Sequence, residues 1–329
     1  MKDLNYFVPV FLVALSTFVF PMLGLSSLLA NPVNAIVGLD VKIPVTARTA
    51  ASLGVNRRGS GIVIDEEGRV LTIGSLILEA SKVSLVDVDG KIVPATVIGY
   101  DSDTGFGIVQ ALTPLQAEPV ALGDFTKLKV GSQLLVVSRE IDSVLQEVVV
   151  VDRENFAGYW EYLLEDALFI TPTVPAFAGA GLINDQGELV GIGSLFVRRP
   201  LADQLMPANM FVPIEGLQPI LSELIERGQI SRPPKPWLGV TVVEQYGRVL
   251  VQSVSKNSPA SQAGLAEGDL LLKINEVAVS DLEELFRAIW GLGEAGVRVP
   301  MTILKGNQLQ KIEVVSADRR NFYSLQQYD

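Results

Sequence analysis

Short alternations of apolar and polar residues, separated by turns, run from about Ile43 to Val197. In "GSGIVIDEEGRVLTIGSLI" the pattern predicts a strand from Gly59 to Ile64, a turn through Glu67-Gly68, and a second strand. The stretch "LINDQGELVGIGSL" predicts another hairpin, in which Gly187 supplies the positive φ of a tight turn. Strands at this spacing, with few helical periods, favour an all-β barrel or sandwich.

Beyond the strands, "IEGLQPILSELIERGQI" predicts one amphipathic helix that ends at Gly228. The proline-rich linker Ser231–Pro236 separates it from a third unit of strands and short helices. In this unit, "SDLEELFRAI" predicts a helix opened by a capping box of Ser280 with Glu283. The apolar face of this helix consists of Leu282, Leu285, Phe286 and Ile289.

The N-terminus carries no charge from Tyr6 to Ile36. Its apolar part, Phe7 to Ala30, is long enough to cross a hydrocarbon core of about 30 Å, which predicts a single transmembrane anchor. A cleaved signal peptide is the alternative, because "VNA" at Val33–Ala35 has small residues at the cleavage positions. Lys2 favours a cytoplasmic N-terminus, so we expect an inner-membrane protein with its soluble part in the periplasm, or outside the cytoplasm in another cell type.

Composition narrows the possible functions. The chain of 329 residues has a net charge of −11 and a pI near 4.7, which argues against nucleic acid as a partner. It contains no cysteine, which excludes disulfides, thiolate metal sites and thiol nucleophiles. It also contains no histidine, the commonest general base and transition-metal ligand. We therefore expect no cofactor and no metal.

The order of pieces resembles the HtrA (Deg) family of trypsin-like serine proteases. The resemblance covers about Gly59 to Val315 and is carried by "GSGIVI", "DGKIVPATVIGYDSDTG", "LINDQGELVGI" and "WLGVTV…SPASQAGLAEGDLLLKINEVAVSDLEEL". It implies a mainly β fold, a trypsin-like double β-barrel followed by a PDZ domain, with the N-terminal transmembrane helix in front. The domains expected are 1–36 (anchor or signal), 37–230 (barrels), 231–236 (linker), 237–318 (PDZ) and 319–329 (tail).

At the positions where the family carries its catalytic triad, this chain has other residues. Ser75 in "LTIGSLI" stands where the resemblance places the histidine, and Gly105 in "GYDSDTG" where it places the aspartate. Ala178, in the bare loop "PAFAGAG", replaces the nucleophile. Acyl transfer needs an attacking oxygen, a base and a group that orients the base. The resemblance therefore implies a degenerate site, and we expect a pseudoprotease that is not an enzyme.

Other groups offer weaker chemistry. Asp101, Asp103 and the cluster Asp65–Glu67 are interpreted as solvated turn residues, with a weak calcium site as the alternative. The aromatic residues of "RENFAGYWEYLLED" could form an exposed recognition patch, core filling, or an equivalent of the family's activation loop. A hydrolase that uses a non-standard site remains a further alternative.

The third unit has the better claim to function. In HtrA proteins a loop in front of a PDZ strand holds a chain-terminal carboxylate through backbone N–H groups, and "WLGV" stands at that place. The resemblance implies a peptide site that can also be empty or filled by the protein's own chain. Its expected residues are Trp237, Leu238, Gly239, Val240, Val242, Leu285 and Ile289.

These inferences together predict a membrane-anchored, extracytoplasmic scaffold, adaptor or accessory subunit that binds C-terminal or extended segments of other proteins. A regulator or chaperone-like partner of an active HtrA relative is the alternative. The resemblance also implies a homotrimer or a mixed trimer.

Overall fold

The structure is a computed structural model that describes residues 30–140, 143–201 and 204–323. The predicted transmembrane segment lies almost entirely outside the described residues. Within the described part of the chain, no helix is long and apolar enough to cross a membrane. A short helix, α1 (Ala30–Asn34), precedes the first strand.

The first barrel is a closed six-stranded antiparallel sheet with the order β1-β2-β3-β6-β5-β4. The predicted hairpin is confirmed, because Ile62 pairs with Leu71 and Gly68 has φ +76° in the turn. Two short helices, α2 (Ala50–Leu53) and α3 (Gly74–Ile77), lie beside the barrel. The strands are β1 (Ile36–Lys42), β2 (Asn56–Val63), β3 (Arg69–Ile73), β4 (Lys82–Val86), β5 (Ile92–Tyr100) and β6 (Phe106–Ala111).

The second barrel repeats this architecture with the order β10-β11-β12-β9-β8-β7. Gly187 has φ +80° in the turn between β10 and β11, as the sequence predicted. Apolar residues of both barrels form one continuous core. The strands are β7 (Gln133–Arg139), β8 (Ser143–Gly158), β9 (Tyr162–Thr171), β10 (Gly181–Ile183), β11 (Leu189–Leu201) and β12 (Gln204–Pro213).

The helix that follows the barrels is shorter than predicted. A 3₁₀ turn over Ile214–Gly216 is followed by α4 (Leu221–Arg227), which ends at Gly228 in the left-handed conformation. Pro219 lies between the two pieces. Proline has no N–H and disfavours a helical conformation of the residue before it, so the predicted single helix is broken there.

The C-terminal unit is a small antiparallel sheet with the order β13-β14-β15-β17-β18, and β16 pairs with β15. Helix α6 (Leu282–Trp290) buries the predicted apolar face, but its cap is shifted by one residue. Asp281 accepts from the N–H of Glu284, and Ser280 donates to the Glu284 carboxylate. The remaining elements are β13 (Val240–Glu244), β14 (Val249–Val254), α5 (Pro259–Gln262), β15 (Leu270–Ile274), β16 (Val277–Ala278), β17 (Arg298–Lys305) and β18 (Gln308–Val315).

Candidate functional site

The bare loop before β10 lies directly against the first barrel. The N–H of Ser60 donates to the carbonyl of Ala178 at 2.9 Å, and the N–H of Gly179 donates to the carbonyl of Gly193 at 2.8 Å. Gly179 has φ +72°, and a Cβ built on it would lie 1.9 Å from the Ser60 carbonyl oxygen. The close approach of two backbones therefore requires glycine at position 179.

The three positions that the resemblance assigned to a triad have neighbours in common. Ser75 is exposed on α3, and the N–H of Gly74 at the start of this helix donates to the carbonyl of Gly105 at 2.7 Å. A Cβ built on Gly59 would contact both the Ala178 carbonyl and Leu76, each at 2.6 Å. The side chains at 75, 105 and 178 are a hydroxymethyl, a hydrogen and a methyl group.

A buried ionic network that the sequence reasoning missed holds α3 in place. Arg57 is 5% exposed, and its guanidinium donates to the carbonyls of Ser75 at 2.8 Å and Leu78 at 3.0 Å. It also donates to the hydroxyl of Thr49 at 2.8 Å. Glu79 accepts from the N–H of Thr49 at 2.8 Å and from its hydroxyl at 2.7 Å. Burial lowers the pKa of Arg57, and the nearby Glu79 carboxylate opposes that change.

Of the carboxylates suggested as an alternative calcium site, Asp101 and Asp103 contact cations of the linker, whereas Asp65 and Glu67 contact Arg69. Asp101 forms an ion pair with Arg232 and accepts from the N–H of Thr104 at 3.0 Å. Asp103 lies 3.0 Å from Arg232 and 3.2 Å from Lys235. These contacts fix the proline-rich linker against the first barrel.

At the other end of the linker, the "WLGV" loop holds a carboxylate. The N–H groups of Leu238, Gly239 and Val240 donate to the Glu161 carboxylate at 2.8, 2.7 and 3.0 Å. Gly239 has φ +81°, which turns these donors toward one place. Glu161 comes from the turn between β8 and β9 of the second barrel and is 6% exposed.

The chain around Glu161 also fills the groove between β13 and α6. The N–H of Val242 donates to the carbonyl of Tyr159 at 2.9 Å, as a paired strand would accept it. Leu163 is 8% exposed and belongs to the core of the C-terminal unit. We call residues Tyr159–Leu163 the internal segment. The predicted groove residues Trp237, Leu238, Val240, Val242, Leu285 and Ile289 are all buried.

Several effects act in opposite directions on the pKa of the Glu161 carboxyl. Burial raises the pKa of the Glu161 carboxyl, while the three backbone N–H donors and Arg319 act to lower it. Arg319 donates to the Glu161 carbonyl at 3.4 Å. The loop thus provides what a carboxylate needs when it leaves water, namely several hydrogen-bond donors and a nearby cation.

The aromatic residues beside Glu161 serve mostly to fill the core. Trp160 and Tyr162 stack with ring centroids 5.6 Å apart, and Phe156 packs on both rings. The Tyr162 hydroxyl donates to the Thr104 carbonyl at 2.8 Å, next to Gly105. Tyr159 is 54% exposed. Resemblance alone pointed to this segment as an activation-loop equivalent, without indicating the groove as its binding place.

Comparison with known proteins agrees with this architecture. Residues 59–192 match the trypsin-like peptidase domain, and residues 236–315 match the PDZ domain. The chain is thus a trypsin-like peptidase domain followed by a PDZ domain. Its relatives include DegP-like and DegS serine endoproteases, and its structural neighbours include HtrA-type proteases.

Two relatives show how far the sequence has diverged from theirs. A probable periplasmic serine endoprotease DegP-like from Pseudomonas putida is 26% identical over 273 residues, which cover 78% of this chain and 55% of the relative. The serine endoprotease DegS from Haemophilus influenzae is 25% identical over 274 residues, covering 80% of this chain and 78% of DegS. The chain therefore spans only about half the length of the DegP-like relative.

Solved structures show the same fold. The HtrA-type protease AlgW with decapeptide superposes with a TM-score of 0.54 at 18% identity, covering 89% of this chain and 98% of AlgW. AlgW with tripeptide gives a TM-score of 0.54 at 17% identity, covering 88% and 95%.

The prediction that the chain is not an enzyme is contradicted by these comparisons. Both relatives are named serine endoproteases, and the structural neighbours are named proteases. The comparisons point to the class of proteases. The prediction was based on the side chains at positions 75, 105 and 178 and on the absence of histidine from the chain.

Proposed function

We propose that this protein binds C-terminal or extended segments of other proteins in its PDZ groove, as a scaffold, adaptor or accessory subunit of a membrane complex. The observation that carries the proposal is the loop Trp237–Val240, whose three N–H groups already converge on one carboxylate. A chain-terminal carboxylate would find the same donors, and a peptide strand would pair with β13. AlgW, which has this fold, is described with a decapeptide and with a tripeptide.

The proposed location is outside the cytoplasm. It is supported by the uncharged N-terminal run and by the DegP-like relatives, which are named periplasmic. In this proposal Phe7–Ala30 anchors the chain in the inner membrane. The chain is also predicted to form a uniform trimer, or a mixed trimer with an active HtrA relative. Light scattering of the purified chain tests the uniform trimer.

We expect peptide binding to depend on a free C-terminus. A labelled hexapeptide that ends in leucine should bind the purified chain at least about tenfold more tightly than the same peptide with a C-terminal amide, because the amide loses the charge-assisted hydrogen bonds. Fluorescence anisotropy with both peptides measures the ratio. Equal affinity for acid and amide would contradict recognition by the "WLGV" loop.

Peptide hydrolysis is the second candidate function, and the names of the relatives favour it. A chain without histidine or cysteine would have to use other groups, such as carboxylates, lysines or hydroxyls. Any casein cleavage by the purified chain is expected to be unchanged in Ser75→Ala, since Ser75 is exposed on α3 and no base is assigned to it. Loss of cleavage in this variant would place Ser75 in the reaction.

A further inference from the structure

We propose that the internal segment Tyr159–Leu163 is a built-in ligand of the PDZ groove, and that an external C-terminal carboxylate binds by displacing it. This inference rests on the proposed function, because it assumes that the groove takes protein chain ends. The internal segment is the competitor that such a chain end has to displace from the groove. The partner it implies is a protein whose last residue is aliphatic and whose terminal carboxylate is free.

The internal segment occupies the hydrogen-bonding positions that a bound chain end would need. The Glu161 side-chain carboxylate takes the three N–H donors of Leu238, Gly239 and Val240. The Tyr159 carbonyl accepts from Val242 on the groove strand. A strand paired with β13 exchanges hydrogen bonds at every second residue. Because residue 159 pairs with Val242, residue 161 lies two positions further along, beside Val240 and the loop.

The internal segment also contributes an apolar side chain to the core of the C-terminal unit. Leu163 lies in the same hydrophobic cluster as Leu238, Val240, Leu285 and Ile289. A cluster of aliphatic and aromatic side chains of this kind suits an aliphatic side chain of the ligand. The internal segment thus specifies the charge of the ligand that can replace it.

Two features favour displacement of the Glu161 carboxylate from the loop. Glu161 has φ +57°, a left-handed conformation that residues with a Cβ rarely adopt. Its carboxylate is attached to a turn, whereas the carboxylate of a chain end can enter the loop without forcing a backbone into this region. Two further side-chain contacts near the groove, Glu165 with Arg287 at 3.2 Å and Asn155 with Glu283 at 2.9 Å, are exposed and contribute little.

The test compares Glu161→Ala with Glu165→Ala in the purified full chain. Both variants remove one carboxylate from the same hairpin, and Glu165 is an exposed position, with a side chain 72% exposed. If the groove is free about one-tenth of the time in the unmodified chain, Glu161→Ala should tighten binding of the free-acid hexapeptide about tenfold. Glu165→Ala should change it less than about twofold.

A second readout does not need the ligand. Hydrogen exchange of the amides of Leu238, Gly239 and Val240 should be slow in the unmodified chain and in Glu165→Ala, and at least about tenfold faster in Glu161→Ala. Amides in β15 serve as the internal reference, so that a variant that merely unfolds the domain is recognised by fast exchange there too.

The outcomes separate the two proposals. Tighter binding and faster exchange in Glu161→Ala support the built-in ligand. Equal peptide affinity in all three proteins keeps the peptide-binding function and overturns the built-in ligand. Absence of binding in every protein, with faster exchange in Glu161→Ala, overturns the peptide-binding function and leaves Glu161 as a structural contact between domains.

Discussion

Replacement of Arg57 by alanine is expected to destabilise the chain by about 3–5 kcal/mol, the range found when one partner of a buried charge pair is removed. Arg57 and Glu79 are both 5% exposed, so neither reaches water easily. Without the guanidinium, the carbonyls of Ser75 and Leu78 lose their donors, and the Glu79 carboxylate loses its neighbouring cation.

The measurement is urea unfolding followed by circular dichroism, with Arg58→Ala as the matched control. Arg58 is the next residue of β2, its side chain is 55% exposed, and it pairs with Asp40 at 3.2 Å. Loss of such an exposed pair should cost at most about 1 kcal/mol. Similar unfolding midpoints for Arg57→Ala and Arg58→Ala would show that the buried network does not stabilise the barrel.

The second large effect is expected from Gly179→Ala, which should cost about 2–5 kcal/mol. Alanine at φ +72° carries a conformational cost of about 1–2 kcal/mol. Its Cβ would also lie 1.9 Å from the Ser60 carbonyl oxygen, which is backbone and can move only with β2. Overpacking of this kind adds about 1–3 kcal/mol.

Gly90→Ala is the control for this variant. Gly90 also has a positive φ, +84°, but a Cβ built there meets no atom within 4 Å. It should therefore lose only the conformational part, about 1–2 kcal/mol. Thermal unfolding of both variants isolates the contribution of the close contact between the loop and β2. An equal loss in the two variants would mean that the loop shifts away from β2 without cost.

The fold was largely predictable because its signals are local. Alternation of apolar and polar residues marks which positions face a core, and glycines at positions such as 68 and 187 mark turns that need a positive φ. The apolar face of α6 was equally readable from its period. Local rules still failed where two of them competed: Pro219 divided a helix that periodicity alone made continuous, and Asp281 took the capping position expected for Ser280.

The candidate site was predictable only in part. Resemblance pointed to the "WLGV" loop and to Leu285 and Ile289 as groove residues, and the structure brings them together around β13 and α6. What fills the groove could not be predicted, because Glu161 lies 77 residues before Leu238 in the chain. A period of two or 3.6 residues tells whether a side chain is buried, and it does not tell which distant partner buries it.

By itself, then, the sequence determined many of the strands and turns, the linker and a separate C-terminal unit, since these follow from short-range patterns of burial and turns. The assignment of the strands to two barrels came from the resemblance to HtrA proteases. Only the tertiary structure decided that a glutamate of the second barrel occupies the carboxylate loop and that Arg57 joins α3 to β2. The physical reason is that a buried charge needs partners in three dimensions, and the docking of whole domains, not the local pattern, selects those partners.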